Sequence, residues 1–124
     1  MKMIEKDKWE WFGNAGHLIV SNRCRFHLTT KVGPWLISTV GEFVPHRDSK
    51  EFDTVGLDRL YETMVFVTKG ECDCGCGLPE HDHDYMELEM KGYSTPKDAN
   101  IGHLELCEKW AKIDYENGTK GMKL

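Results

Sequence analysis

The sequence predicts an α+β fold: a small antiparallel β-sheet with a C-terminal helix packed on one face. Three observations carry this reading. Runs of β-branched and aromatic residues, separated by turn signals, fill the first two thirds of the chain. One well-capped helical stretch closes the last third. No βαβ pattern surrounds the cysteines, so nothing calls for a parallel sheet. At 124 residues the chain is read as a single domain spanning 1–124, able to bury a modest core without covalent staples.

The elements follow in order. Residues 5–12, "EKDKWEWF", form a short helix or a lead-in strand, and "GNAG" (Gly13–Gly16) is a turn. "HLIVSNRCRFHLTTKV" is a strand in which Cys24, Phe26 and Leu28 alternate with Arg23, Arg25 and His27. Ser21-Asn22 marks a bend or bulge in it. After the Gly33-Pro34 turn, Trp35–Val44 is a second strand that completes a hairpin, and Gly41 signals a bulge or twist. Pro45–Arg59 is polar and turn-rich and reads as a surface loop. Leu60–Thr68 is the third strand, and Tyr85–Met90 the fourth, with Met86, Leu88 and Met90 on one face.

The helix lies in "TPKDANIGHLELCEKWAKI". Thr95 is the N-cap, with Pro96 at N1 and Asp98 at N3. Gly102 weakens the helix by about 1 kcal/mol relative to Ala, which leaves a start at Asn100 as an alternative. Ile101, Leu104, Cys107 and Ala111 recur at helical spacing as the packing stripe, and Gly118 is the expected stop.

Composition narrows the function. Net charge is −5, which disfavours non-specific nucleic-acid binding. Arg23, Arg25, His27 and Lys31 form a local basic stretch that reads as a solvated strand face. The apolar runs are too short for a membrane span. The N-terminus "MKMIEKDKWEWF" has no apolar leader, so a cytosolic protein is expected. Five cysteines leave one unpaired in any full disulfide scheme, and disulfides rarely persist in the cytosol.

Chemistry concentrates in "CDCGCGLP", Cys72–Pro79. His103 and Cys107, four apart on the helix, share a face. With Cys74 and Cys76 from the glycine-rich turn they make a predicted tetrahedral Zn²⁺ site of three thiolates and one imidazole, resembling a zinc knuckle. Glycine lets the backbone curl so that the sulfurs converge. The spacing is C-x-C rather than the usual C-x2-C. Cys72 is near enough to replace Cys74 or Cys76, or to make an all-thiolate site without His103, and His17 is another candidate fourth ligand. The competing reading is redox cycling of three vicinal thiols, but no C-x-x-C opens a helix here.

Two further groups contain metal-ligating or nucleophilic residues. His81 and His83, in "EHDHDY", read as an exposed polar loop. His17, Cys24 and His27 would suit nucleophilic chemistry, but alternation sends Cys24 and His27 to opposite strand faces. No P-loop, GxGxxG, GxSxG or HExxH motif occurs. Trp9, Trp11 and Trp35 are either core residues or anchors for a partner.

"AGHLIVSNRCRFHLTTKVGPWLISTVGEFVP", "GLDRLYETMVF", "CGCGLP" and "GHLELCEKWA" together resemble an uncharacterised family of small proteins encoded by tailed bacteriophages and prophages. The resemblance runs from about Trp9 to Ala111. Residues 45–56 are shorter here than in many members, which places any function housed in that insert in doubt. The resemblance implies phage origin, a place in the host cytoplasm and a Cys/His metal knuckle, and supplies no activity. The function expected is a zinc-stabilised binding module acting on a host or defence protein. The alternative is a small metal-dependent enzyme acting on a nucleotide or nucleic acid, with Arg23 and Arg25 holding phosphate.

Overall fold

The computed structural model describes residues 3–13, 23–45, 51–55 and 59–124. After a 3-10 turn at Lys6–Lys8 come strands β1 (Glu10–Phe12), β2 (Cys24–Val32), β3 (Trp35–Phe43), β4 (Tyr61–Glu71), β5 (Pro79–His81) and β6 (Glu89–Tyr93). Helices α1 (Pro96–Trp110) and α2 (Tyr115–Thr119) follow. Every strand pair is antiparallel. The sheet runs β1-β2-β3-β4, and β4 also carries both β5 and β6. β6 pairs with Tyr61–Val65 of β4, and β5 pairs with Thr68, Gly70 and Glu71, with a register shift between Thr68 and Gly70. At that shift Gly70 takes φ 106° and its N–H donates to Thr68 Oγ1 at 3.1 Å. The glycine thus lets the far end of β4 leave the sheet as a separate hairpin with β5.

The helix α1 covers the face that carries Thr30 and Val32 of β2, Trp35, Ile37 and Thr39 of β3, and Thr63, Val65 and Val67 of β4. These sit at alternate strand positions, so one face of the sheet meets the helix. Thr95 caps α1 as expected, accepting from the Asp98 N–H at 3.1 Å, and Pro96 occupies the first turn. The buried stripe differs from the expected one. Ala99, Gly102, His103, Leu106, Cys107 and Trp110 face the sheet, while Ile101 and Leu104 are 47% and 46% exposed. The stripe is rotated because small and polar residues fill the near end of the interface. An apolar count along the helix cannot see that.

Other departures have similar causes. β6 begins at Glu89, not Tyr85, because Met86 N–H donates instead to Met122 O, which pulls the preceding segment off β4. Met86 is exposed there, and Met90 is exposed within β6 itself, opposite Met64 of β4. β4 runs on to Glu71 and so reaches the cysteine turn directly. Gly41 is there for space: a Cβ would stand 2.1 Å from Tyr61 Cδ1 on the paired strand. Gly118 does not stop α1, which ends at Trp110. It sits within α2, where a Cβ would meet the Trp35 ring at 2.5 Å. Residues 17–22 of the predicted 17–32 strand, Ser21-Asn22 among them, lie outside the described residues. No helix among the described residues is long and apolar enough to cross a membrane.

Candidate metal centre

The β4–β5 hairpin ends in the turn that holds the three cysteines. Cys72 N–H donates to Leu78 O at 2.9 Å and closes the loop across its base. Gly75 N–H donates to Cys72 O at 3.3 Å, which folds Cys72–Gly75 into a reverse turn. Gly75 and Gly77 hold φ of 84° and 79°, the left-handed region that only glycine enters without strain. These two reversals draw side chains two residues apart close together. In a straight strand they would share a face but stand too far apart to meet one ion.

The result is a cluster. The Sγ atoms of Cys72, Cys74 and Cys76 all lie within 4.8 Å of one another, and Cys72 Sγ stands 3.4 Å from Cys74 Sγ. A tetrahedral ion with Zn–S bonds of 2.3 Å holds its sulfurs about 3.8 Å apart, so the three thiols are close enough to bind a metal ion. Among the described residues no other set of three or more His, Cys, Asp and Glu side chains is gathered this tightly. No disulfide joins any of the five cysteines, all of which are described. The Cys74 thiol is pushed up to about 11, first by its hydrogen bond to Cys72 and then by that to Cys76. Crowded thiols resist successive ionisation, and a bound cation relieves that repulsion.

His103 and Cys107 occupy a different place. The structure groups Cys74 and Cys76 with Cys72, and puts His103 and Cys107 beneath the sheet. Both ring nitrogens of His103 have partners: Thr30 Oγ1 lies 2.8 Å from Nε2, and Thr39 Oγ1 lies 2.6 Å from Nδ1. Thr39 in turn shares a hydrogen bond with Thr63. The ring is fully buried, and burial holds its pKa down to about 4, so it is neutral at pH 7. Cys107 is fully buried in the main core with Trp35 and Trp110, and burial pushes its thiol up to about 12. The sequence placed the pair correctly on one helix face. It gave no sign that Thr30 of β2 and Thr39 of β3 would receive the imidazole.

The other singled-out residues are placed as follows. His81 and His83 have ring centroids 4.1 Å apart beside the hairpin, and His83 Nε2 lies 3.3 Å from Glu80 Oε1. Burial, then His83, lowers the His81 pKa. Cys24 is buried, with its thiol raised to about 11 by desolvation, and falls on the opposite face of β2 from His27. His17 lies outside the described residues. Arg23 donates to Pro45 O at 3.0 Å, and the Arg25 guanidinium sits 5.6 Å from the Phe52 ring centroid. Trp9 and Trp35 are core residues, whereas Trp11 is 55% exposed on the edge strand β1.

Comparison with known proteins returns no match: no family model, curated protein or solved structure is similar to the chain.

Proposed function

We propose that this chain is a metal-holding binding module, with Zn²⁺ bound by Cys72, Cys74 and Cys76, whose hairpin tip engages a partner protein. The observation that carries the reading is the convergence of three sulfurs within 4.8 Å at an exposed turn. Soft thiolates at that spacing favour Zn²⁺ over Mg²⁺ or Ca²⁺. The surrounding charge supports a cation too. Residues 69–84 carry five carboxylates and one lysine, a net −4 of the chain's −5. The resemblance to small phage proteins supports a host protein, met in the host cytoplasm, as the partner. The ion would order the hairpin tip. The main core cluster, which includes Val65 and Val67 of β4, draws on none of the three hairpin cysteines.

The enzyme reading has less support. A phosphate approaching the tip would meet carboxylates, and Arg23 and Arg25 are engaged by Pro45 and Phe52.

The test is metal content by mass spectrometry on the purified chain and on single variants. About one zinc per chain is expected, lost in Cys72→Ser, Cys74→Ser and Cys76→Ser and kept in Cys107→Ala. Chelation should leave the far-UV circular dichroism of the core unchanged. Metal-free protein at every stage, or zinc kept in Cys72→Ser and lost in Cys107→Ala, would overturn the assignment.

A further inference from the structure

A three-thiolate group leaves a tetrahedral ion one ligand short. Among the described residues, no fourth His, Cys, Asp or Glu ligand atom joins Cys72, Cys74 and Cys76 within the 4.8 Å grouping. The Cys72 N–H to Leu78 O bond closes the loop at its base, and the Gly75 N–H to Cys72 O bond lies within the turn. Residues Asp73, Cys74, Gly75, Cys76 and Gly77 are all exposed. A ligand arriving from solvent therefore reaches the group.

Charge selects that ligand. Softness alone would favour a fourth thiolate. A divalent ion on three thiolates already carries −1, however, and Glu71 and Asp73 flank it on a hairpin of net −4. Each additional like charge about 4 Å away costs about fivefold in affinity even in water. Imidazole supplies a borderline-soft nitrogen and adds no charge. Resting on the metal reading above, we infer that the Cys72–Cys74–Cys76 group holds its ion with the fourth position open, and that a histidine presented by a partner protein completes the coordination. The metal then forms part of the docking surface, and the negative hairpin rejects partners that offer a thiolate or carboxylate in that position.

Co²⁺ tests this on the full chain at pH 7, as a spectroscopic stand-in for Zn²⁺. Thiolate-to-metal charge-transfer bands are expected on Co²⁺ addition and should vanish in Cys74→Ser. Imidazole should then shift the visible d–d bands saturably, at concentrations at least about fivefold below those at which 2-mercaptoethanol acts. The same titration is run on the His81→Ala/His83→Ala double variant, where an unchanged starting spectrum is expected. d–d bands indifferent to imidazole would overturn the inference by showing a closed site. So would tighter binding of 2-mercaptoethanol, or a starting spectrum altered in the double variant, which would place the fourth ligand on the chain's own hairpin. Absence of charge-transfer bands in the parent protein is a distinct result, and removes the metal reading itself.

Discussion

Gly102 of α1 lies flat against the ring of Tyr93 on β6: a Cβ at residue 102 would stand 2.1 Å from Cε1 and 2.3 Å from the hydroxyl oxygen. Helix propensity alone says that alanine at this position would gain about 1 kcal/mol. The contact reverses the sign. Tyr93 is buried in a cluster with Ala99 and Tyr61, so its ring cannot move aside without disturbing that packing. Overpacking of this kind costs about 1 to 3 kcal/mol. Gly102→Ala should therefore lower the urea midpoint of unfolding, with the slope unchanged. A raised midpoint would mean that α1 and β6 are not packed this closely.

His103 makes the fold acid-sensitive. Its pKa is about 4 in the folded chain against 6.5 for an ordinary histidine, because burial disfavours the charged ring. The unfolded chain thus binds a proton at higher pH than the folded one. The associated stability is complete above about pH 6.5, falls as pH drops toward 4, and is flat for this group below that. The full loss is roughly 3 kcal/mol, from 1.36 kcal/mol per pKa unit. Urea unfolding between pH 7 and 4.5 should show the decline in the parent protein. His103→Gln, itself less stable, should lack that slope, and an equal slope in both would assign it to other groups.

The class of fold was legible because it depends on periodicity and capping. The β2–β3 hairpin follows from the alternating run and Gly33-Pro34, with Gly33 at φ 59°, and the start of α1 from Thr95 and Pro96. What escaped depends on shape in three dimensions. Gly41, Gly102 and Gly118 each yield space to an aromatic ring, from Tyr61, Tyr93 and Trp35. A glycine that makes room looks, in sequence, like one that breaks an element. The site was legible as a cluster, since alternate cysteines among glycines announce it. Its membership was not. His103 and Cys107 carry ligand chemistry at helical spacing, and only the threonines opposite show that the imidazole is a satisfied core group. Cys72, weighed as a substitute for a hairpin cysteine or in an all-thiolate site without His103, stands together with Cys74 and Cys76 in the cluster that the turn builds.

Cys107 distinguishes a core thiol from a metal thiolate. It is fully buried, and its pKa of about 12 keeps it protonated. Cys107→Ala removes one buried sulfur from a packed site and should cost about 1 kcal/mol or somewhat more, while leaving metal content unchanged. Cys76→Ser changes an exposed side chain and should leave the unfolding free energy of the chelated protein within about 0.5 kcal/mol of the parent while abolishing metal binding. The two variants thus separate stability from metal content in opposite directions. A shared loss of both properties in either variant would contradict the placement.

Gly75 and Gly77 test whether the turn itself builds the site. Neither has a heavy atom within 4 Å of an added Cβ, so alanine there meets open space. The only penalty is conformational, about 1 to 2 kcal/mol for holding an L-residue at φ near +80°, and the turn is at an exposed tip that can relax to avoid it. Relaxation should swing Cys74 or Cys76 out of the cluster. Gly75→Ala and Gly77→Ala are thus expected to keep parental stability in the presence of chelator. Their Zn²⁺ affinity should fall by about tenfold each, the equivalent of 1.4 kcal/mol. Competition with a chromophoric chelator reads the change directly. Unaltered affinity in both variants would show that the sulfurs converge without the left-handed glycines, and that the ion rather than the backbone shapes the turn.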